Sequence, residues 1–116
     1  MVKLRHPLKW HGGKQPLALR IVALMPPHTH YVEPFAGSLA VLLAKPRVKM
    51  ETVNDLDRSL MTFWRVLRDR PVELARAAAL TPHSRAEHEA FEPTDDELEM
   101  ARRVWVRLTQ GRTGTL

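Results

Sequence analysis

No cysteine occurs in the 116 residues. That excludes a disulfide framework and any thiolate metal site, and it suits a reducing cytoplasm. Long apolar runs are also missing: none approaches the roughly 18 residues of a membrane span, so a membrane protein is not expected. Lys3, Arg5 and Lys9 make the N-terminus basic without a long apolar stretch behind them, which argues against a secretory leader. Acids are absent from residues 1–32, which carry Lys3, Arg5, Lys9, Lys14 and Arg20, and the net charge is +5. Such a segment suits a polyanionic partner such as nucleic acid; a plain solvated basic surface explains the charge equally well. Repeats and low-complexity tracts are lacking too. What is present, 44% hydrophobic and 27% charged residues, is enough for one compact domain and too short for two ordinary ones.

Residues 5–15 read as a loop containing Pro7 and the Gly12-Gly13 pair. Pro16 suits the first turn of a helix. Leu17 to Met25 is apolar nearly all round apart from Arg20, so this helix is predicted to be buried; Pro26-Pro27 ends it. His30 to Glu33 reads as a short strand closed by Pro34. Ser38 is a candidate N-cap for a helix over Leu39 to Ala44, and Met50 to Asn54 is a second strand. Leu56, Leu60, Phe63, Trp64 and Leu67 recur at helical spacing, with charge opposite and a stop before Pro71. Everything beyond residue 71 reads as helical. An alanine-rich helix covers Val72 to Leu80. Ser84 with Glu87, and Thr94 with Glu97, form two capping-box patterns. The last helix carries an apolar stripe of Leu98, Ala101, Trp105 and Leu108 and stops at Gly111. Two strands joined by a helix make a βαβ unit, and a two-stranded parallel sheet is not a complete fold. The pattern is that of the opening of a larger α/β domain.

Three stretches can carry chemistry. In Lys9-Trp10-His11-Gly12-Gly13-Lys14 the glycines permit positive φ and expose N–H groups to an anion such as a carboxylate. Lys14 adds a point charge, and Trp10 a flat face for a base or a cation. A glycine turn before a helix explains the same residues without a ligand. In Glu33-Pro34-Phe35-Ala36-Gly37-Ser38, Gly37 lets a ligand approach the backbone, the helix start favours negative charge, and Glu33 can accept from a ligand ammonium group. A bare strand-to-helix turn is the alternative. Asp55 and Asp57 close the second strand. A carboxylate there can take two ribose hydroxyls or cap the next helix; Asp55 is assigned the ligand and Asp57 the first turn. The six histidines lack cysteine partners and read as solvated, so no metal site is expected. Serine and histidine show no nucleophile-and-base arrangement.

Together these stretches resemble the Dam-like adenine-specific (N6) DNA methyltransferases, strongly over residues 7–71. Lys9 to Lys14 is similar to the K-W-x-G-G-K signature of that family, Tyr31 to Gly37 to its E-P-F-x-G motif, and Asn54 to Asp57 to its strand-end D-I-N motif. The resemblance implies a partial Rossmann-like, S-adenosylmethionine-dependent α/β fold: an N-terminal βαβ plus helices, with the C-terminal half missing. Residues 1–70 would be the cofactor-binding part, and residues 71–116 a helical segment that begins the DNA-recognition region. Trp10 and Lys14 would line the cofactor pocket, Phe35 and Gly37 shape its floor, and Asp55 hold the ribose; Glu33, read above as an acceptor for a ligand ammonium group, is counted with them as a cofactor-binding residue. The substrate implied is double-stranded DNA, methylated at adenine N6 by direct in-line transfer from the sulfonium.

Two departures from the family pattern stand out. A second glycine usually follows E-P-F-x-G, where this chain has Leu39. The catalytic D-P-P-Y motif, which grips the flipped adenine, is not found, so no catalytic residue is assigned. Met25-Pro26-Pro27-His28 is a helix terminator. The chain is therefore expected to be an N-terminal portion that is inactive alone. The rival readings are a non-catalytic cofactor- or DNA-binding remnant, half of a split enzyme awaiting a C-terminal partner, and a small helical interaction protein with incidental turns.

Overall fold

The structure, a computed structural model, describes Leu4 and residues 7–111. Length alone points to one core, but the residues cluster into two compact units, 1–56 and 57–116.

The first unit is built on a βαβ segment. A short 3-10 turn at Gln15–Leu17, with Pro16 in its first positions, leads into α1 (Ala18–Ala23). Strand β1 (His30–Glu33) is followed by α2 (Ala40–Ala44) and strand β2 (Met50–Val53). The strands pair in parallel, His30 opposite Met50 and Glu33 opposite Val53. Ala18 from α1 and Ala40 and Val41 from α2 form the buried nucleus, with Ile21, Val22, Met25, Tyr31 and Ala44 packed on it.

The expected burial of the first helix holds for one face only. Ala18 is buried, whereas Leu19 is 68% and Leu24 85% exposed. The physical reason is supply: α1 has α2 on one side, and the described residues of the first unit offer no further layer for the leucines opposite. The sheet shows the same shortage. Side chains alternate along a strand, so His30, Val32, Met50 and Thr52 share one face, and all four are exposed.

The second unit is helical: α3 (Arg58–Asp69), α4 (Pro71–Ala79), α5 (Arg85–Glu89) and α6 (Glu97–Gln110). Helix α3 buries Leu60, Phe63, Trp64 and Val66, and α6 buries Met100, Ala101, Val104, Val106 and Leu108. The Phe63 and Trp64 rings meet edge to face, 5.1 Å between centroids. Leu56 does not join the stripe. It precedes the cap of α3 and is 89% exposed. On α6 the buried face is turned from the expected one toward Met100 and Val104, leaving Leu98 and Trp105 half-buried.

Capping explains the boundaries. Asp57 caps α3, accepting from Ser59 N (2.9 Å) and Leu60 N (3.2 Å). Ser84 caps α5 by accepting from Glu87 N (3.2 Å). The return half of that expected box does not form: Ser84 N donates to Gln110 Oε1, and the Glu87 carboxylate takes Arg102 at 2.8 Å. The expected Thr94 box is displaced by two residues. Asp96 is the cap, accepting from Glu99 N (3.0 Å), while Thr94 Oγ1 accepts from Asp96 N (3.3 Å). An ionised carboxylate is the stronger acceptor, and it wins the cap. Gly111 ends α6 as expected, with an ordinary negative φ of −79°.

Candidate functional site

The C-terminal edge of the two strands organises the site. Asn54 N donates to Glu33 O (2.9 Å), the last link of the strand pairing. Pro34 has no N–H to continue it. The chain then rises into Phe35-Ala36 and is tied back by Ala36 N to Asn54 O (2.8 Å) and Asn54 Nδ2 to Pro34 O (3.3 Å).

Gly37 turns the backbone over with φ +51°. A Cβ placed there would lie 2.9 Å from Trp10 Nε1, inside van der Waals contact. Glycine is therefore required twice, by backbone conformation and by the indole seated against it. Gly37 N donates to Asp55 Oδ2 (3.1 Å), so the carboxylate at the end of β2 grips the turn across a separation of 18 residues. Leu39 N closes the turn on Ala36 O (2.8 Å).

The start of α2 also differs from the expected one. Ser38 does not cap α2. The cap is Leu39, in the left-handed region at φ 54°, ψ 32°, with no side-chain cap bond. It is the one non-glycine residue with positive φ among the described residues, at the position where the resembled family usually has glycine. Burial holds the conformation in place: the leucine is 4% exposed, and its apolar contacts offset the left-handed cost of about 1–2 kcal/mol.

The second wall comes from residues 10–14. Gly13 N donates to Trp10 O (3.1 Å) around Gly12 at φ +72°, the pattern of a type II turn. A Cβ on Gly13 would meet Trp10 O at 3.1 Å and Ser38 Oγ at 3.5 Å, so the two glycine-bearing turns lie side by side. Between them is a recess of about 60 Å³, lined by Trp10, Lys14, Glu33, Phe35 and Gly37 together with Gly12, Gly13, Ala36, Ser38 and Ala40.

Five of the six residues singled out from the sequence thus converge on one cavity. Asp55, the sixth, does not line it but braces its wall through Gly37. Phe35 stands at the mouth and is not a floor, being 74% exposed. Lys14 is exposed at the rim, whereas Glu33 is 6% exposed. Burial pushes the Glu33 carboxyl above its ordinary value; the Tyr31 hydrogen bond and the Lys14 charge act against that rise. The recess therefore presents a buried acid and an exposed cation. Tyr31, whose hydroxyl donates to Glu33 Oε2 at 2.9 Å, was not singled out as a site residue. Its signal was available, since residues two apart on a strand share a face.

Among the described residues no group of three or more metal-ligating side chains occurs, and no helix is long and apolar enough to cross a membrane. Residues 10–104 match the family described as D12 class N6 adenine-specific DNA methyltransferase. The chain is similar to the type II methyltransferase M1.LlaDCHI of Lactococcus lactis subsp. cremoris, with 35% identity over 85 residues, 72% of this chain. It spans about 29% of the length of that curated relative.

Proposed function

As the chain belongs to the D12 class N6 adenine-specific DNA methyltransferases, we propose that residues 1–70 hold S-adenosylmethionine at the recess between the two glycine turns. The observation that carries this reading is the convergence of Trp10, Lys14, Glu33, Phe35 and Gly37 on one cavity, braced by Asp55. About 60 Å³ is well below the roughly 300–1,000 Å³ of a pocket that encloses a drug-sized ligand. It fits one end of a cofactor, and its charges fit an amino-acid zwitterion: Glu33 for the ammonium, Lys14 and the turn N–H groups for the carboxylate. Phe35 and Asp55 lie toward the nucleoside end, where Asp55 takes the ribose hydroxyls. Bound there, the cofactor supplies an electrophilic methyl group for adenine N6 in double-stranded DNA.

The βαβ segment is read as part of a Rossmann-like sheet, its open face and the exposed leucines of α1 belonging to layers outside these 116 residues. Residues 71–116 are read as the start of the DNA-recognition region, in a cytoplasmic enzyme of restriction and modification. The acceptor-gripping D-P-P-Y sequence does not occur in the chain. We therefore expect the chain alone to bind cofactor without transferring methyl. Equilibrium dialysis with radiolabelled S-adenosylmethionine, followed by incubation with unmethylated DNA, tests both halves. Retention of label by the protein with no label in DNA is the expected result. Labelled DNA would overturn the inactive reading, and no retention would overturn the cofactor reading.

A further inference from the structure

A line of polar side chains runs behind the recess. Tyr31 OH donates to Glu33 Oε2 at 2.9 Å, Lys45 Nζ lies 4.8 Å over the Tyr31 ring, and Lys45 Nζ donates to Glu51 Oε2 at 3.0 Å. The Lys45 side chain is only 1% exposed. A charged amine so buried persists because the carboxylate, the Pro46 carbonyl at 2.8 Å and the ring face satisfy it together.

We infer that Tyr31 is a positioning residue for cofactor binding: its hydroxyl fixes one oxygen of Glu33 and keeps that carboxylate ionised and aimed at the ligand ammonium group. This rests on the cofactor reading above. Three observations carry it. Glu33 lines the recess while buried, so its negative charge is costly there unless a donor reaches it. The side-chain donor that reaches it, beside the Leu42 backbone, is a phenol on the same strand face, whose geometry β1 sets directly. Lys45 in turn holds the ring through its face, so the phenol is itself anchored.

The charged and titratable groups around Glu33 are few. Lys14 comes from the glycine turn and Tyr31 from β1. The Leu42 backbone faces it from α2 and also favours the charged form. Glu51 from β2 acts on Tyr31, and Lys45 follows α2. Removing the Tyr31 hydroxyl leaves burial opposed only by Lys14 and the backbone, so Glu33 then binds its proton more readily.

Tyr31 is the only tyrosine in the chain, so tyrosinate absorbance reports it alone. Without ligand, the wild-type phenol is expected to titrate above the ordinary value of about 10, and Glu33→Gln to bring it down. Titration of both proteins at the ordinary value would overturn the contact. In Tyr31→Phe, carboxyl resonances should show Glu33 titrating higher than in wild type. With ligand, Tyr31→Phe should bind S-adenosylhomocysteine roughly tenfold more weakly near neutral pH, recovering as pH rises. It should bind 5′-methylthioadenosine, which lacks the amino-acid end, unchanged. Equal losses for both ligands at every pH would mark Tyr31 as merely structural and overturn the inference. If folded wild type binds neither ligand, the cofactor reading fails, and the ligand-free titrations still decide whether Tyr31 controls Glu33.

Discussion

Gly12, Gly37 and Leu39 all adopt positive φ, and each does so for a different reason. Gly12 has open space where a Cβ would go, whereas Gly37 has Trp10 at 2.9 Å. Gly12→Ala is expected to cost only the backbone term, about 1–2 kcal/mol. Gly37→Ala should cost distinctly more, since Trp10 must move as well. Urea unfolding midpoints of the two variants check the order. Leu39 inverts an ordinary rule. Glycine is usually about 0.5–1 kcal/mol worse than alanine at a regular position, but at φ 54° alanine keeps the left-handed strain that glycine relieves. Both variants lose the buried leucine, and Leu39→Gly should nevertheless unfold at higher denaturant than Leu39→Ala. Equal midpoints, or the reverse order, would reject the strain argument. The sequence marked Leu39 as an odd residue in the motif. It could not show the torsion, because φ at one residue is set by the turn around it and by burial.

Among the elements, α5 and α6 are joined by charge. Arg102 donates to Glu99 at 2.7 and 2.9 Å and to Glu87 at 2.8 Å, while Arg103 Nε reaches Glu99 at 2.9 Å. The Arg102 hydrogen bonds, with help from Arg103, pull the Glu99 carboxyl from the ordinary 4.5 to about 2 against its partial burial. A depressed folded-state value means stability that is present above the unfolded value and lost as pH falls through the folded one. The window is therefore from about pH 4.5 down to about pH 2. With the Glu99 side chain 31% exposed, solvent screening leaves roughly 1–2 kcal/mol of this pH-dependent term. Thermal unfolding of wild type and Glu99→Gln across that window should show a loss in the former and a much flatter response in the latter. The capping residue of α3 offers a simpler check by the same method: Asp57→Ala should cost about 0.5–2 kcal/mol.

These elements also show how far local pattern reaches. Strand β1 and the start of β2 fall where the sequence places them, because Pro34 and the β-favouring residues speak locally. The buried face of α6 was harder to read. Trp105 and Leu98 look like core residues by type, but which side of a helix is buried depends on where its neighbours lie, and here that side carries Met100 and Val104. The caps shifted for a similar reason. Glu87 and Glu97, the acids of the two expected boxes, are engaged by Arg102 and Arg65, both distant in sequence, and Asp96 displaces Thr94.

At the scale of the whole molecule, the site was more legible than the packing. Lys9 to Lys14, Glu33 to Gly37 and Asp55 lie far apart in sequence, and the turns bring them to one edge of the strands. Motif residues carry a local signature of residue type and spacing that can be read before the chain is folded. The leucines of α1 and the face of Val32 and Met50 are exposed, and whether an apolar side chain is covered depends on packing that no local pattern records. Filling the recess should stabilise the folded chain by mass action, about 2.7 kcal/mol at a hundredfold excess over Kd. A rise in melting temperature with S-adenosylhomocysteine is the expected sign, and an unchanged melting point at saturating ligand would count against the site.

Calorimetric titration of S-adenosylhomocysteine into the wild-type chain and its Trp10→Ala, Glu33→Gln and Asp55→Ala variants tests the cofactor site most directly. Binding to one site per chain in wild type, abolished or weakened at least tenfold in each folded variant, is the predicted result. A folded wild-type chain that takes up no ligand, or variants that bind as well as wild type, would contradict the account.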